Sequence, residues 1–166
     1  MPFPLRGNLL VVHGGSPTAV LNASLYGLLR EASRHPQVEG MHGARFGVEG
    51  LLSGSFMDLR REPAQNIEAL PHTPGSALGS SSRAVEPEDY ERILEQLRAR
   101  EIRFLFFNGG NGTMLAAGRL ARLATERGHE VRIIGIPKAV DNDIVRTDHC
   151  PGYGSAARYL AVTALE

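Results

Sequence analysis

Cysteine is nearly missing from this sequence. Cys150 stands alone, so no internal disulfide can form and no cysteine cluster can hold a metal. A reducing cytoplasm is the compartment that fits such a chain. Net charge is missing too: 18 basic residues face 18 acidic ones. That removes the electrostatic ground for expecting nucleic acid or an anionic membrane as a partner, and leaves only local charge to attract an anionic ligand. Long apolar runs are absent. The start, MPFPLRGNLLVVHGG, has a short apolar run broken by Gly and Pro, and reads as neither a signal peptide nor a membrane span. The chain has no internal repeat and no low-complexity block. What is present suits one compact domain with a sizeable core: 166 residues, 42% of them apolar.

Glycine is the residue in excess, 19 of 166, and it gathers at the ends of apolar runs rather than spreading as a linker would. Asn8 to His13 (NLLVVH) reads as a buried strand ended by Gly14 and Gly15. Thr18 to Arg34 carries helical spacing through Ala19, Asn22, Leu25, Tyr26 and Leu29. Glu39 to Phe46 is a weaker strand, and 47–55 is a loop or short helix. Prolines, glycines and a serine run make 57–83 read as loops. Pro87 to Arg100 is a helix with Pro at its start. Ile102 to Asn108 is a second buried strand, Thr113 to Arg127 a helix stopped by Gly128, and Val131 to Ile136 a further strand. A loop from Pro137 to Gly152 leads to a last helix, Ser155 to Leu165. This alternation predicts an α/β fold, a Rossmann-like parallel sheet with helices on both faces. Ligands of such sheets bind beyond the carboxyl ends of the strands.

Three segments fall at those ends. The first is HGGSPTAVLNAS, residues 13–24. Paired glycines let backbone approach a ligand, and the helix start behind them offers free N–H groups to a phosphate. Ser16 and Thr18 can cap the helix or hold the phosphate. The loop is not a P-loop, because no Lys-Ser/Thr follows, and it is not GxGxxG. A plain strand-to-helix turn needing two glycines explains it equally. The second is NGGNGTM, residues 108–114, with Thr113 at the capping position and Asn111 able to offer an amide oxygen to a metal. Two such loops on neighbouring strands exceed what turning alone requires. The third, PKAVDNDIVRTDHCPGYG, residues 137–154, sets Asp141, Asp143 and Asp148 beside Lys138 and Arg146. Phosphoryl transfer to a hydroxyl uses a carboxylate to accept the proton, a hard oxygen ligand for Mg²⁺ and fixed positive charge. A solvated acidic loop is the bland reading of the same residues.

GGSPTAVLNASLYG, FGVEGLL, LFFNGGNGTM, IGIPKAVDNDI and TDHCPGYGSAARYLA occur in this order. Together they resemble the phosphofructokinase family, most closely its pyrophosphate-dependent members, from about residue 9 to the end. The resemblance implies phosphoryl transfer from pyrophosphate or ATP to the 1-hydroxyl of fructose 6-phosphate, with Mg²⁺. It implies Asp141 as general base, with Lys138 as its catalytic companion. Gly14, Gly15, Arg83, Gly109, Gly110, Asn111, Gly112 and Thr113 would hold the donor phosphates. Asp141, Asp143 and Ala139 would face the substrate, and Asn111 and Asp143 the metal. A homo-oligomer in the cytoplasm is implied as well, without nucleic acid or membrane.

The sequence also departs from the family. Asn111 stands where many members carry Asp, and Ala139 where Thr is usual. Gly112 resembles the ATP-using pattern, whereas Lys138 resembles the pyrophosphate-using one. LGSSSR is one residue longer than the usual turn before Arg83. The family is roughly twice as long, which makes residues 1–166 read as its donor-binding domain, with the substrate-binding half absent. The expectation is a chain that alone turns over slowly or not at all. Two other readings remain open on sequence: a polyphosphate- or nucleotide-binding module with impaired catalysis, and a kinase of NAD or lipids, whose GGDG loop is similar.

Overall fold

The computed structural model describes residues 5–166. Five strands form one sheet in the order β3-β2-β1-β4-β5. These are β1 (Gly7–His13), β2 (Val38–Ala44), β3 (Phe56–Asp58), β4 (Ile102–Gly109) and β5 (Arg132–Pro137). β1 runs parallel to both β2 and β4, and β4 runs parallel to β5. The helices are α1 (Ala19–Ala32), α2 (Val48–Ser53), α3 (Ala64–Ala69), α4 (Asp89–Ala99), α5 (Asn111–Glu126) and α6 (Tyr153–Leu165).

Helices cover both faces, as the continuous apolar runs require. Successive residues of β1 point to opposite sides. Leu10 and Val12 meet α2, α4 and α5 through Leu51, Ile93, Leu97 and Leu120. Leu9 and Val11 meet α1 through Leu25 and Leu29. Two of the covering helices show the reason in their spacing: Leu21, Leu25, Leu29 and Ala32 form the buried stripe of α1. Tyr90, Ile93, Leu94 and Leu97 do the same for α4.

One sequence expectation is corrected. The sheet is mixed, because β3 lies antiparallel against β2. It falls at the start of the 57–83 segment read as loops, which also contains α3 and a 3-10 turn, Leu70–His72. Three residues are too few to show a period, and pairing with β2 supplies what the local pattern does not. Helix starts are also later than read: α1 begins at Ala19 and α4 at Asp89. At the other edge, β5 and α6 are largely exposed, including Ile134, Tyr159, Leu160 and Leu165.

Candidate functional site

The carboxyl ends of β1, β4 and β5 bring the three predicted loops to one place. Gly14 N–H donates to Asn108 O at 2.9 Å, tying the first loop to the second. Lys138 N–H donates to Gly109 O at 2.7 Å, tying the second to the third. Lys138 Nζ closes the ring with a 2.6 Å bond to Ser16 O in the first loop. Asn111 Nδ2 donates to Asp143 Oδ2 at 2.8 Å.

The glycines have distinct reasons. Gly15 sits at φ +73, a left-handed conformation that disfavours other residues. Gly14 and Gly109 are needed for space. A Cβ on either would collide with Thr113 Oγ1, and a Cβ on Gly109 would also lie 2.5 Å from Gly14 O. Thr113 therefore packs as the wedge between the two loops. Its expected capping role is corrected: Gly110 is the N-cap of α5, and the helix begins at Asn111. Gly110 has no side chain to cap with, so the first N–H groups of α5 stay available to an anion. Thr18 is the N-cap of α1, yet its side chain makes no capping bond and Oγ1 is buried without a partner.

Charge is arranged tightly. Lys138 is only 5% exposed. Burial pulls its ammonium below the usual lysine range, and the Asp141 carboxylate beside it acts in the opposite direction. Asp141 and Asp143 are both exposed to solvent. Asn142 between them adopts φ 55, and its Oδ1 accepts from Cys150 N–H at 2.8 Å. Asn tolerates that backbone, and the bond ties the turn between the two aspartates to Cys150. Ala139 is buried and presents only a methyl group.

Arg83 lines the same cavity but is already engaged. Its Nη2 donates to both Asp89 oxygens at 3.1 Å and its Nη1 reaches Glu49 Oε2 at 3.3 Å. Expected as a phosphate partner, it is here clamped by two carboxylates. The cavity of about 370 Å³ runs from Gly14, Gly15, Gly110 and Gly112 past Ala84 and Val85 to Leu115 and Arg119.

Sequence reasoning missed a buried polar layer beneath the first loop. Asn108 Nδ2 holds Leu21 O of α1 at 3.1 Å. Asn22 bonds Thr73 O and Ala77 N–H, at 2.9 and 2.8 Å. Nearer the solvent, Ser80 Oγ donates to Gly15 O at 2.6 Å. Polar residues inside apolar runs were the only signal, as at Asn22 in the buried stripe of α1.

A family model described as phosphofructokinase matches residues 8–165. The chain belongs to the phosphofructokinase family. It is 42% identical over 166 residues to the pyrophosphate–fructose 6-phosphate 1-phosphotransferase of Xanthomonas campestris, covering 97% of this chain and 39% of that protein. It is 39% identical to the sulfofructose kinase of Alkalicoccus urumqiensis, covering 90% of this chain and 38% of that one. The crystal structure of the pyrophosphate-dependent phosphofructokinase of Marinobacter aquaeolei superposes with a TM-score of 0.87 at 39% identity. That match covers 95% of this chain and 40% of the relative. The chain thus spans about two-fifths of the length of these relatives. Among the described residues, no helix is long and apolar enough to cross a membrane.

Proposed function

We propose that this chain is the phosphoryl-donor half of a fructose 6-phosphate 1-kinase, with pyrophosphate as the donor. The observation that carries the reading is the ring of bonds joining Ser16, Gly109 and Lys138, with Asp143 held on Asn111 beside it. The Gly15 backbone, which lies beside Gly110 N, and the open N–H groups of the α5 start then face one compact anion. Lys138 supports pyrophosphate in particular: its ammonium already bridges two of the loops and leaves fixed charge against a small, highly charged donor. A second reading, ATP, is supported by the cavity beyond Gly112. No atom would lie within 4 Å of a Cβ there, and apolar walls at Val85 and Leu115 continue from it.

Asp141 accepts the proton of the sugar 1-hydroxyl as that oxygen attacks the terminal phosphorus. The bond to the leaving phosphate breaks, giving fructose 1,6-bisphosphate and phosphate, or ADP where ATP is the donor. Mg²⁺ fits the donor set at Asn111 and Asp143. Among the described residues no group of three His, Cys, Asp or Glu could hold a metal alone. Mg²⁺ is usually carried by one or two carboxylates plus substrate phosphates, and one carboxylate with one amide oxygen stands here. Bound there, it would neutralise charge on the transferring phosphoryl group. The acceptor-binding half, homo-oligomer formation, a cytoplasmic location and a place in glycolysis belong to the same proposal.

The test joins this chain to the remaining three-fifths of the Marinobacter relative and measures fructose 1,6-bisphosphate formation with each donor. Turnover is expected with pyrophosphate above ATP, and Asp141→Asn should lower it about 10²–10⁴-fold. An active chimera indifferent to Asp141→Asn would refute the assignment. The 166-residue chain alone should bind donor weakly and turn over slowly or not at all.

A further inference from the structure

His13 ends β1 immediately before the glycine pair, and it is fully buried. Its Nδ1 lies 2.7 Å from Ser76 Oγ. Ser76 Oγ lies 2.7 Å from Gly79 O, a carbonyl that can only accept. A hydroxyl has one proton, and here it goes to Gly79 O. The proton between His13 and Ser76 must therefore sit on Nδ1, which leaves Nε2 as a lone pair. Nε2 is buried with no partner.

The bond to Ser76 reaches the loop that walls the donor cavity. Gly79 N–H donates back to Ser76 O at 3.0 Å, closing a tight turn with Gly79 at φ +73. Ser80 follows and donates to Gly15 O. Ser81, Ser82 and Arg83 then line the cavity. Gly47 sits where a Cβ would strike His13 O and crowd Ser81 N, so the two segments touch on their backbones as well.

We propose that His13 is a positioning residue for the donor: as the Nδ1–H tautomer it locks Ser76 and the Gly79 turn, and so sets Ser80 and Arg83 over the Gly14–Gly15 loop. The inference rests on the donor-site reading above and adds to it how the cavity wall is held.

Side-chain size and hydrogen bonding make opposite forecasts. Asn places an N–H where His has Nδ1, while Gln and Leu do not, although both fill the space better. Pyrophosphate affinity of the 166-residue chain is measured by calorimetry with Mg²⁺ for His13→Asn, His13→Gln and His13→Leu. Asn should hold affinity within about twofold, and Gln and Leu should lose about five- to tenfold, the worth of one buried hydrogen bond. Nitrogen-15 NMR of the wild-type ring should give a pyrrole-type Nδ1 and a pyridine-type Nε2. If Leu fails to fold, Ser76→Ala should give the same loss and Ser76→Thr should restore binding. An Nε2–H tautomer, or Asn binding no better than Gln and Leu, overturns the inference alone. A wild-type chain that does not bind pyrophosphate overturns the donor-site reading and this inference with it.

Discussion

Acid should weaken this fold through His13 by an amount that can be isolated. Burial lowers its ring from the usual 6.5 to about 4. A lowered folded-state value means the stabilising contribution is complete above the unfolded ring's pKa and is lost as pH falls toward the folded one. Between those two values the unfolded chain takes a proton that the folded chain refuses. Each pH unit is worth about 1.4 kcal/mol, so the whole interval is worth roughly 3 kcal/mol. That is a large share of a total stability of about 5–15 kcal/mol. The perturbation is His13→Asn, which keeps the donor to Ser76 and cannot titrate. Urea unfolding of both proteins is followed from about pH 7 to about pH 5. His42 and His129 are also lowered by burial, but both proteins share them and they cancel in the difference. The stability of wild type relative to Asn should fall by roughly 2 kcal/mol over that range. A difference that stays flat would mean the ring takes up its proton without cost. The buried, single-tautomer account of His13 would then be wrong.

Three further outcomes follow from contacts at the loops. Gly14→Ala should cost about 1–3 kcal/mol in urea unfolding, because the nearest atoms its Cβ meets are all in the Thr113 side chain. Adding Thr113→Ala should recover most of that, whereas Gly109→Ala should not be rescued, since Gly14 O also blocks it. Asn111→Asp sets a second carboxylate against Asp143 in place of the 2.8 Å hydrogen bond. Mg²⁺ affinity, read by titration, should rise about tenfold or more, with lower stability when the metal is withheld. Lys138→Met removes the Nζ bond to Ser16 O. Calorimetry should find pyrophosphate binding weakened about tenfold or more and ATP binding weakened less, since one charge-assisted bond is lost.

The parts of the fold that could be read from sequence are those whose cause is local. Leu9 to Val12 and Leu105 to Phe107 are apolar on both sides because both faces are covered, and such runs announce themselves. The three loops could be placed because their glycines stop those runs. What could not be read depends on distant partners. Phe56–Asp58 becomes a strand only because β2 offers its edge. Asn22 and Asn108 look like defects in apolar patterns until Thr73 and Leu21 supply their bonds, 51 and 87 residues away. Arg83 reads as a free phosphate ligand because nothing in LGSSSR reveals that Asp89 will fold back onto it. Thr113 looks like a cap, since its contact with Gly14 exists only once β1 and β4 are paired.

The charges at the site decide which form of donor it can take. A diphosphate brings several negative charges, and two aspartates already stand in the third loop, Asp143 against Asn111 and Asp141 beside Lys138. Against them Lys138 offers one cation, but its short bond goes to Ser16 O. Arg83 offers another, yet Glu49 and Asp89 together answer it with two carboxylates. Arg119 lies at the other wall of the cavity. Backbone N–H groups and a helix start contribute only partial charge, equivalent to about half a unit. A bare diphosphate next to two carboxylates would therefore meet more repulsion than these groups offset. A donor arriving as its Mg²⁺ complex would reverse the sign of the encounter, with Asp143 among the residues that would hold the metal. The Asn111–Asp143 bond is what such a complex would exchange for metal coordination. Donor affinity should accordingly rise steeply with Mg²⁺ in a calorimetric series. Equal pyrophosphate affinity with Mg²⁺ and with a chelator would show that Asp141 and Asp143 do not face the donor.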